Sequence, residues 1–213
     1  MGLDIQELVL RLPVVLFSLT IHEFMHAWTA LKCGDDTALR QGRVSLNPLV
    51  HLDLLGTVCL IIAPIGWAKP VPVNPSNYGH PRRDDILVSG AGVTANFALG
   101  AACALILRFF GADLWEMSEA GRIIVQVLYM MSFINFGLAI FNLLPLFPLD
   151  GSHILKNLLP LNAAITYVNY RHYGPYALLG FILVSQMAAR AYGVSILGYP
   201  IRALVGAFSG MEF

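Results

Sequence analysis

Long runs of apolar residues dominate this chain, and short polar segments separate them. Four runs approach or exceed the length of about 20 mostly apolar residues that a membrane-spanning helix needs. They cover residues 8–31, 86–110, 123–144 and 176–189. Two further apolar stretches, residues 52–67 and 194–208, are ambiguous. The pattern predicts an all-α, multi-pass membrane protein with about four to six transmembrane helices.

The stretch 52–77 does not fit a simple crossing. Gly56 and Pro64 interrupt its apolar part, and residues 66–75 read Gly-Trp-Ala-Lys-Pro-Val-Pro-Val-Asn-Pro. Prolines at this spacing exclude a helix and favour extended backbone. Irregular backbone is tolerated at membrane depth only where protein covers it or where it lines a water-filled cavity. We therefore predict a re-entrant or hairpin segment around residues 52–77.

The composition strengthens the case for a membrane protein. Of the 213 residues, 57% are hydrophobic and 12% are charged, whereas a soluble domain carries about 25% charged residues. Lipid is therefore expected to cover much of the surface. The 13 basic and 13 acidic residues give a formal net charge of zero, so nucleic acid is not an expected partner. We expect a single transmembrane domain over residues 1–213, with a core at 8–160 and C-terminal helices at 174–208.

The first apolar run contains an H-E-x-x-H motif at residues 22–26. Residues four apart share one helical face, so His22 and His26 can bind one Zn²⁺ with Glu23 beside the metal-bound water. Glu23 can then take a proton from that water and pass it to the leaving amine. The alternative is a set of solvated polar residues on a surface helix. The apolar flanks oppose it, because unpaired ionisable groups cost several kcal/mol in hydrocarbon.

A catalytic zinc needs a third protein ligand and one open position. Most acidic residues lie in predicted loops, whereas Asp150 is a lone carboxylate in an apolar, proline-broken segment directly after a predicted span. Taken alone, Asp150 would more readily be a helix N-cap. Beside an incomplete zinc site, we predict that it is the third metal ligand. The remaining histidines are weaker candidates, because nothing around them demands a metal: His51, His80, His153 and His172.

The distribution of charge predicts an orientation. Basic residues follow the histidine pair: Lys32, Arg40, Arg43, Lys69, Arg82 and Arg83. By the positive-inside rule, the end of the first helix that carries the histidines faces the cytoplasm. If residues 52–67 are re-entrant, the next span leaves the cytoplasm, the acidic loop 113–119 lies outside, and the following span returns. Asp150 then emerges on the side of the histidines, so the charge bias and the metal site require the same topology.

These residues resemble the site-2 protease family of intramembrane zinc metalloproteases. The resemblance rests on the H-E-x-x-H motif at 22–26 and on the sequence N-x-x-P-x-x-P-L-D-G at 142–151. Residues 66–75 are similar to a segment of the small bacterial and archaeal members. We expect this small type, without the PDZ-like or nucleotide-sensing domains of some relatives.

The resemblance implies a zinc-dependent intramembrane endopeptidase in a prokaryotic plasma membrane, with its active site toward the cytoplasm. It implies the lipid bilayer and transmembrane protein substrates as partners. It further implies one Zn²⁺ per chain, bound by His22, His26 and Asp150, with Glu23 as catalytic base and acid. Asn142 would bind the scissile carbonyl or its oxyanion. The alternative for Asn142 is a hydrogen bond to neighbouring helix backbone.

Residues 89–96 resemble another family segment, which often has Pro where Val93 stands here. Because of this departure, we prefer close helix packing by the small residues of the segment to a role for Asn96 at the site.

Three rival functions make different demands on the sequence. A pseudoprotease that holds a metal or a substrate without cutting would not need Glu23. A metal or proton transporter would carry ionisable residues through its other helices, whereas the runs 86–110 and 123–144 hold almost none beyond Arg108. A soluble-type zinc protease on a membrane anchor would need an extramembrane domain, which we do not expect. Proteolysis is therefore the predicted function.

Overall fold

The computed structural model describes residues 5–62 and 66–211, and helices dominate this part of the chain. In chain order the helices are α1 Ile5–Lys32, α2 Thr37–Arg40, α3 Leu54–Ile62, α4 Pro81–Met117, α5 Glu119–Leu143, α6 Asp150–Leu158, α7 Leu161–Asn169, α8 Gly174–Tyr192 and α9 Gly198–Ser209. Short 3₁₀ turns lie at Pro48–His51, Pro75–Asn77 and Arg171–Tyr173. The predicted all-α class is confirmed.

Three of these helices are long and apolar enough to cross a membrane. They are α1 over Leu8–Lys32, α4 over Pro81–Met117 and α5 over Glu119–Leu143. The first three predicted runs coincide with them, and the chain is an integral membrane protein. Helix α8 forms at the fourth predicted run, but it is not among the three candidate spans of the described residues. Crossings beyond these three stay a prediction.

The connection between α4 and α5 is shorter than the sequence indicated. The predicted acidic loop 113–119 is wrong, because α4 continues to Met117 and only Ser118 separates the two helices. The Ser118 hydroxyl accepts a hydrogen bond from the Gly121 N–H at 3.1 Å and so caps α5. A Cβ at Gly121 would collide with the carbonyl of Leu114. This tight turn makes α4 and α5 antiparallel neighbours and returns the chain toward α1.

Helix α9 packs back onto the α4–α5 pair. Its buried Ile201 and Val205 join Ala104 of α4 and Phe136 of α5 in one apolar cluster. This cluster joins α9 to both long helices and helps to hold them together.

The segment predicted to be re-entrant forms a hairpin. Helix α3 forms its first part, and residues 66–74 form an irregular return without a helix. Leu52 and Ala68 form an isolated antiparallel bridge, and the Lys69 N–H donates to the His51 carbonyl at 2.8 Å. The chain therefore comes back to its starting point, as the topology argument required. Pro64 lies outside the described residues.

Asp35 ties the end of this segment to α1. Its buried carboxylate accepts hydrogen bonds from the Asn74 N–H at 2.6 Å, the Asn77 side-chain amide at 2.8 Å and the Thr37 N–H at 3.1 Å. Burial by itself raises the pKa of Asp35, but these hydrogen bonds favour the ionised form and hold the pKa below its ordinary value.

We expect this carboxylate to make stability depend on pH. Because its folded pKa lies below the unfolded value of about 3.9, its contribution is present above about pH 4 and is lost as the pH falls through the folded pKa. Melting temperatures in detergent between about pH 3 and pH 7 should therefore fall less steeply toward acid in Asp35→Asn than in the wild type.

The matched control is Asp36→Asn, one residue along. Asp36 forms an exposed ion pair with Arg40 at 2.7 Å, and such pairs contribute little to stability. Its pH profile should follow the wild type. Identical acid profiles for Asp35→Asn and the wild type would contradict the role of Asp35.

Candidate metal centre

Ligand-type atoms from two distant parts of the chain meet inside the helix assembly. Nε2 of His22 and Nε2 of His26 lie 3.0 Å apart. Oδ2 of Asp150 lies 3.2 Å from the first and 3.3 Å from the second. Among the described residues, this is the one group of histidine, cysteine and acidic side chains arranged to hold a metal ion. The three predicted ligands are therefore brought together.

Hydrogen bonds at the other ring nitrogens fix the histidine tautomers. Nδ1 of His22 lies 2.6 Å from Oδ1 of Asn96, and Nδ1 of His26 lies 2.7 Å from the Val88 carbonyl. Both partners are acceptors, so each Nδ1 carries the proton and donates it. The orientation of the Asn96 amide follows from its own Nδ2, which donates to the Ser18 carbonyl at 3.2 Å. Each histidine Nε2 is then left with a lone pair.

Three lone-pair atoms thus face one another at about 3 Å. This arrangement repels itself unless a cation lies between the atoms, and Oδ2 of Asp150 has no hydrogen-bond partner in the described structure. Zn–N and Zn–O bonds of about 2.0–2.1 Å place tetrahedral ligand atoms about 3.3 Å apart. The observed separations fit that geometry, and two imidazoles with one carboxylate are a ligand set that suits zinc.

Helix α4 approaches the ligands at Gly92. A Cβ built there would lie 2.6 Å from Nε2 of His26 and 2.7 Å from ring atoms of His22. Any side chain would therefore displace the imidazoles. The prediction that small residues of 89–96 permit close helix packing is confirmed, and the contact partner of the packing is the metal site itself.

Asn96 contacts the ligand group, although the sequence pattern favoured a packing role for its segment. It is fully buried, and beyond its contact with His22 its Nδ2 donates to Oδ1 of Asn135 in α5 at 2.7 Å. Asn135 in turn donates to Oγ of Ser18 in α1 at 2.8 Å. The preference against a role for Asn96 at the site was wrong. The available signal was its spacing from Gly92, since residues four apart share a helical face.

Glu23 lies beside this group on α1 and is also buried. Its Oε2 accepts a hydrogen bond from the backbone N–H of Val71 at 2.8 Å. The hydrogen bonds found among the described residues leave Oε1 without a donor, so this oxygen has room for another partner.

Asp150 is the first residue of α6, and Leu149 occupies the N-cap position. The carboxylate points to the histidines, so the N-cap alternative is not what the structure contains. Asp85 of α4 fixes the other end of α6, because it accepts hydrogen bonds from Lys156 at 2.7 Å and Asn157 at 2.6 Å. Helix α4 thus contacts the histidines of α1 through Asn96 and Val88. It also holds α6, the helix of Asp150, through Asp85.

The remaining candidates lie away from the ligand group. Asn142 is half-buried, and its Nδ2 donates to the Leu138 carbonyl of its own helix at 3.0 Å. This is the backbone bond considered as its alternative, and its substrate contact stays a prediction. His51 is buried, with Nε2 at 2.8 Å from the Ser45 carbonyl. His153 lies 3.7 Å from Asp85.

We expect Gly92→Ala to lower metal affinity by at least about tenfold, because the new methyl group overlaps both imidazoles. The measurement is zinc content and competition with a chelator. Gly90→Ala is the matched control, since it lies one half-turn away on the same helix and its Cβ would meet nothing within 4 Å. Equal affinity in the two variants would contradict the close approach.

We expect Asn96→Ala to weaken zinc binding by about 10- to 100-fold, because an unsupported His22 loses its tautomer and its ring orientation. Asn142→Ala is the control, since its amide bonds only its own helix backbone. Competition with a chelator measures both. Unchanged zinc affinity in Asn96→Ala would show that the contact does not orient His22.

Comparisons with known proteins point to one family. The model of peptidase family M50 matches residues 112–185. A candidate zinc metalloprotease of Bacillus subtilis (strain 168), YwhC, is 38% identical over 163 residues, which are 75% of this chain and 74% of YwhC. Rip2 of Mycolicibacterium smegmatis, also a candidate zinc metalloprotease, is 33% identical over 145 residues, which are 66% of this chain and 54% of Rip2.

A more distant relative is the zinc metalloprotease MJ0392 of Methanocaldococcus jannaschii. It is 24% identical over 147 residues, which are 68% of this chain and 33% of that protein. No solved structure matches this chain. The match to YwhC covers about three quarters of both proteins. This chain belongs to peptidase family M50, the site-2 protease family, and is an integral membrane metallopeptidase with zinc as its cofactor.

Proposed function

We propose that this protein cuts peptide bonds in or near the transmembrane segments of other membrane proteins. The observation that carries the proposal is the buried group of three lone-pair ligand atoms, with Glu23 beside it, on a helix apolar enough to cross a bilayer. A water-consuming site built between membrane-spanning helices is suited to substrates that lie in the same bilayer.

His22, His26 and Asp150 would hold one zinc ion per chain. Zinc supplies Lewis acidity, which activates water and polarises the scissile carbonyl. Oε1 of Glu23 accepts the proton of the attacking water while Oε2 stays bonded to Val71. The same carboxyl group then gives the proton to the leaving amine nitrogen as the C–N bond breaks.

Asn142 is proposed as a donor to the scissile carbonyl oxygen or its oxyanion. It lies near the end of α5, eight residues before Asp150. This role requires Nδ2 to exchange its bond with the Leu138 carbonyl for a bond to substrate. Removing a donor of this kind typically costs about 10²–10³ in kcat.

We further propose a prokaryotic plasma membrane location with the site toward the cytoplasm. Basic residues cluster between the C-terminal end of α1 and the first turn of α4, and by the positive-inside rule they support this orientation. They are Lys32, Arg40, Arg43, Lys69, Arg82 and Arg83. The working unit would be a single domain over residues 1–213, with its core at 8–160 and C-terminal helices at 174–208. Its partners would be lipid and a transmembrane protein substrate.

The test combines zinc content with cleavage of a model transmembrane substrate in proteoliposomes. We expect wild type to bind about one zinc and to cut, and Glu23→Gln to keep the metal and lose cleavage. Asp150→Ala should lose the metal, whereas Asp113→Ala, an exposed acid of α4, should keep metal and activity. Asn142→Ala should keep zinc and lower kcat.

Each contrary outcome has a distinct meaning. If Asp150→Ala retained both zinc and activity, the third ligand would lie elsewhere. If Glu23→Gln cut at the wild-type rate, Glu23 would not be the base. If wild type held zinc but cut no substrate from a broad panel, a function limited to binding would replace proteolysis.

A further inference from the structure

Arg43 is a buried cation whose hydrogen bonds go to neutral groups. The residue is only 6% exposed. Its Nη2 donates to the Lys69 carbonyl at 2.6 Å and lies 3.5 Å from Nδ1 of His51. In the described part of the chain, no carboxylate pairs with the guanidinium, and Nε has no partner. A buried charge without a counter-charge is unfavourable for stability, and the bond to the Lys69 carbonyl is the shortest contact through which Arg43 can act.

Local backbone geometry directs Arg43 inward. Helix α2 ends at Arg40, and Gly42 follows with φ of +66°, a left-handed conformation that favours glycine. The Arg43 N–H then donates back to the Ala38 carbonyl at 2.8 Å. This turn reverses the chain after α2 and places the guanidinium against the Lys69 carbonyl, at the start of residues 69–74, here named the proline strap.

The proline strap is tied at both ends and meets the catalytic base in its middle. At Lys69, the carbonyl accepts from Arg43 and the N–H donates to His51. At Asn74, the N–H donates to Asp35. Between these ties the Val71 N–H donates to Oε2 of Glu23. Pro70 and Pro72 have no N–H, so Val71 provides the backbone donor of this stretch.

We propose that Arg43 is a positioning residue for Glu23 and acts through the proline strap. By holding the Lys69 carbonyl, it sets the place of the Val71 N–H two residues on. That donor fixes Oε2 and leaves Oε1 to exchange the proton. The importance of this geometry for cleavage rests on the proposed proteolytic function, whereas the geometry itself does not.

Hydrogen exchange of the Val71 amide measures the geometry directly. Because prolines have no amide hydrogen, residues 70–73 report only Val71 and Val73, and the Val73 N–H has no acceptor among the described residues. Wild-type protein should show one slow and one fast amide in this fragment. Arg43→Met should make the slow amide fast, as should Glu23→Ala, which removes the acceptor.

The matched control for Arg43→Met is Arg40→Met, three residues earlier. Arg40 is exposed and pairs with Asp36 on the surface. Its variant should leave the slow amide and the kinetics unchanged. Arg43→Lys, which keeps one donor within reach of the Lys69 carbonyl, should restore part of the protection.

Kinetics separate positioning from a merely structural role. Displacing a catalytic group by about 1 Å costs up to about 10²-fold in rate. With a transmembrane substrate, Arg43→Met should lower kcat by about 10- to 100-fold, leave KM within about twofold, and retain its zinc. Arg43→Lys should recover part of kcat. A structural role would instead lower zinc content and kcat together.

A second route removes the donor without touching Arg43. Val71→Pro deletes the N–H that bonds Glu23, and it should lower kcat as Arg43→Met does while zinc is kept. Val71→Ala retains the N–H and controls for lost packing against Ala27 and Val44. Val73→Pro controls for the added proline, because no bond to Glu23 is lost.

The proposal is overturned if Arg43→Met keeps the slow Val71 amide, or keeps kcat within about twofold of the wild type. If Arg43→Met fails to fold, Val71→Pro decides, and an unchanged kcat with zinc retained overturns the proposal. If wild type itself cuts no substrate, the proteolytic function fails, and the Val71 exchange rate alone decides whether Arg43 sets the strap.

Discussion

Mutual repulsion among three lone pairs is the constraint on which this structure depends. Nε2 of His22, Nε2 of His26 and Oδ2 of Asp150 face one point at separations of 3.0–3.3 Å. Repulsion of this kind is costly in an apolar helix assembly, and a cation bound between the three atoms relieves it. Gly92 leaves the space for the rings, and the acceptors at Asn96 and Val88 keep the protons on the far side of each imidazole.

The same constraint determines the path of the chain. Asp150 follows two long helices, and it can reach the histidines only if the chain returns to the end of α1 that carries them. The Leu52–Ala68 bridge brings the earlier segment back beside its own start, which is the return that this path requires. The single-residue turn at Ser118 then brings α5 back along α4. A protein with a crossing at residues 52–67 would leave the site without its third ligand.

The sequence predicted those parts of the site that residue types and spacing encode. The H-E-x-x-H motif implied the histidine pair, and the lone carboxylate in a proline-broken apolar segment indicated Asp150. The parity of the crossings agreed with that choice. The contact between Asn96 and His22 depends on how α4 is rotated against α1, which no pattern along one helix specifies. The apolar run also ended before α4 does, because hydropathy indicates which residues suit lipid and not where a helix ends. Helix α4 continues through the polar residues Asp113 and Glu116 to Met117.

The proposed metal ligands and the proposed base are held by different parts of the molecule. Side chains of α1, α4 and α6 hold the ligand atoms, and their supports are helix packing and buried amides. Glu23 is instead held by a backbone N–H of a loop, and that loop is fixed from outside the helices by Arg43 and Asp35. A shift of the loop would move the base without opening the ligand group. Because Glu23 and the three ligand atoms have separate supports, a displacement of the loop alone would leave the ligand atoms in place.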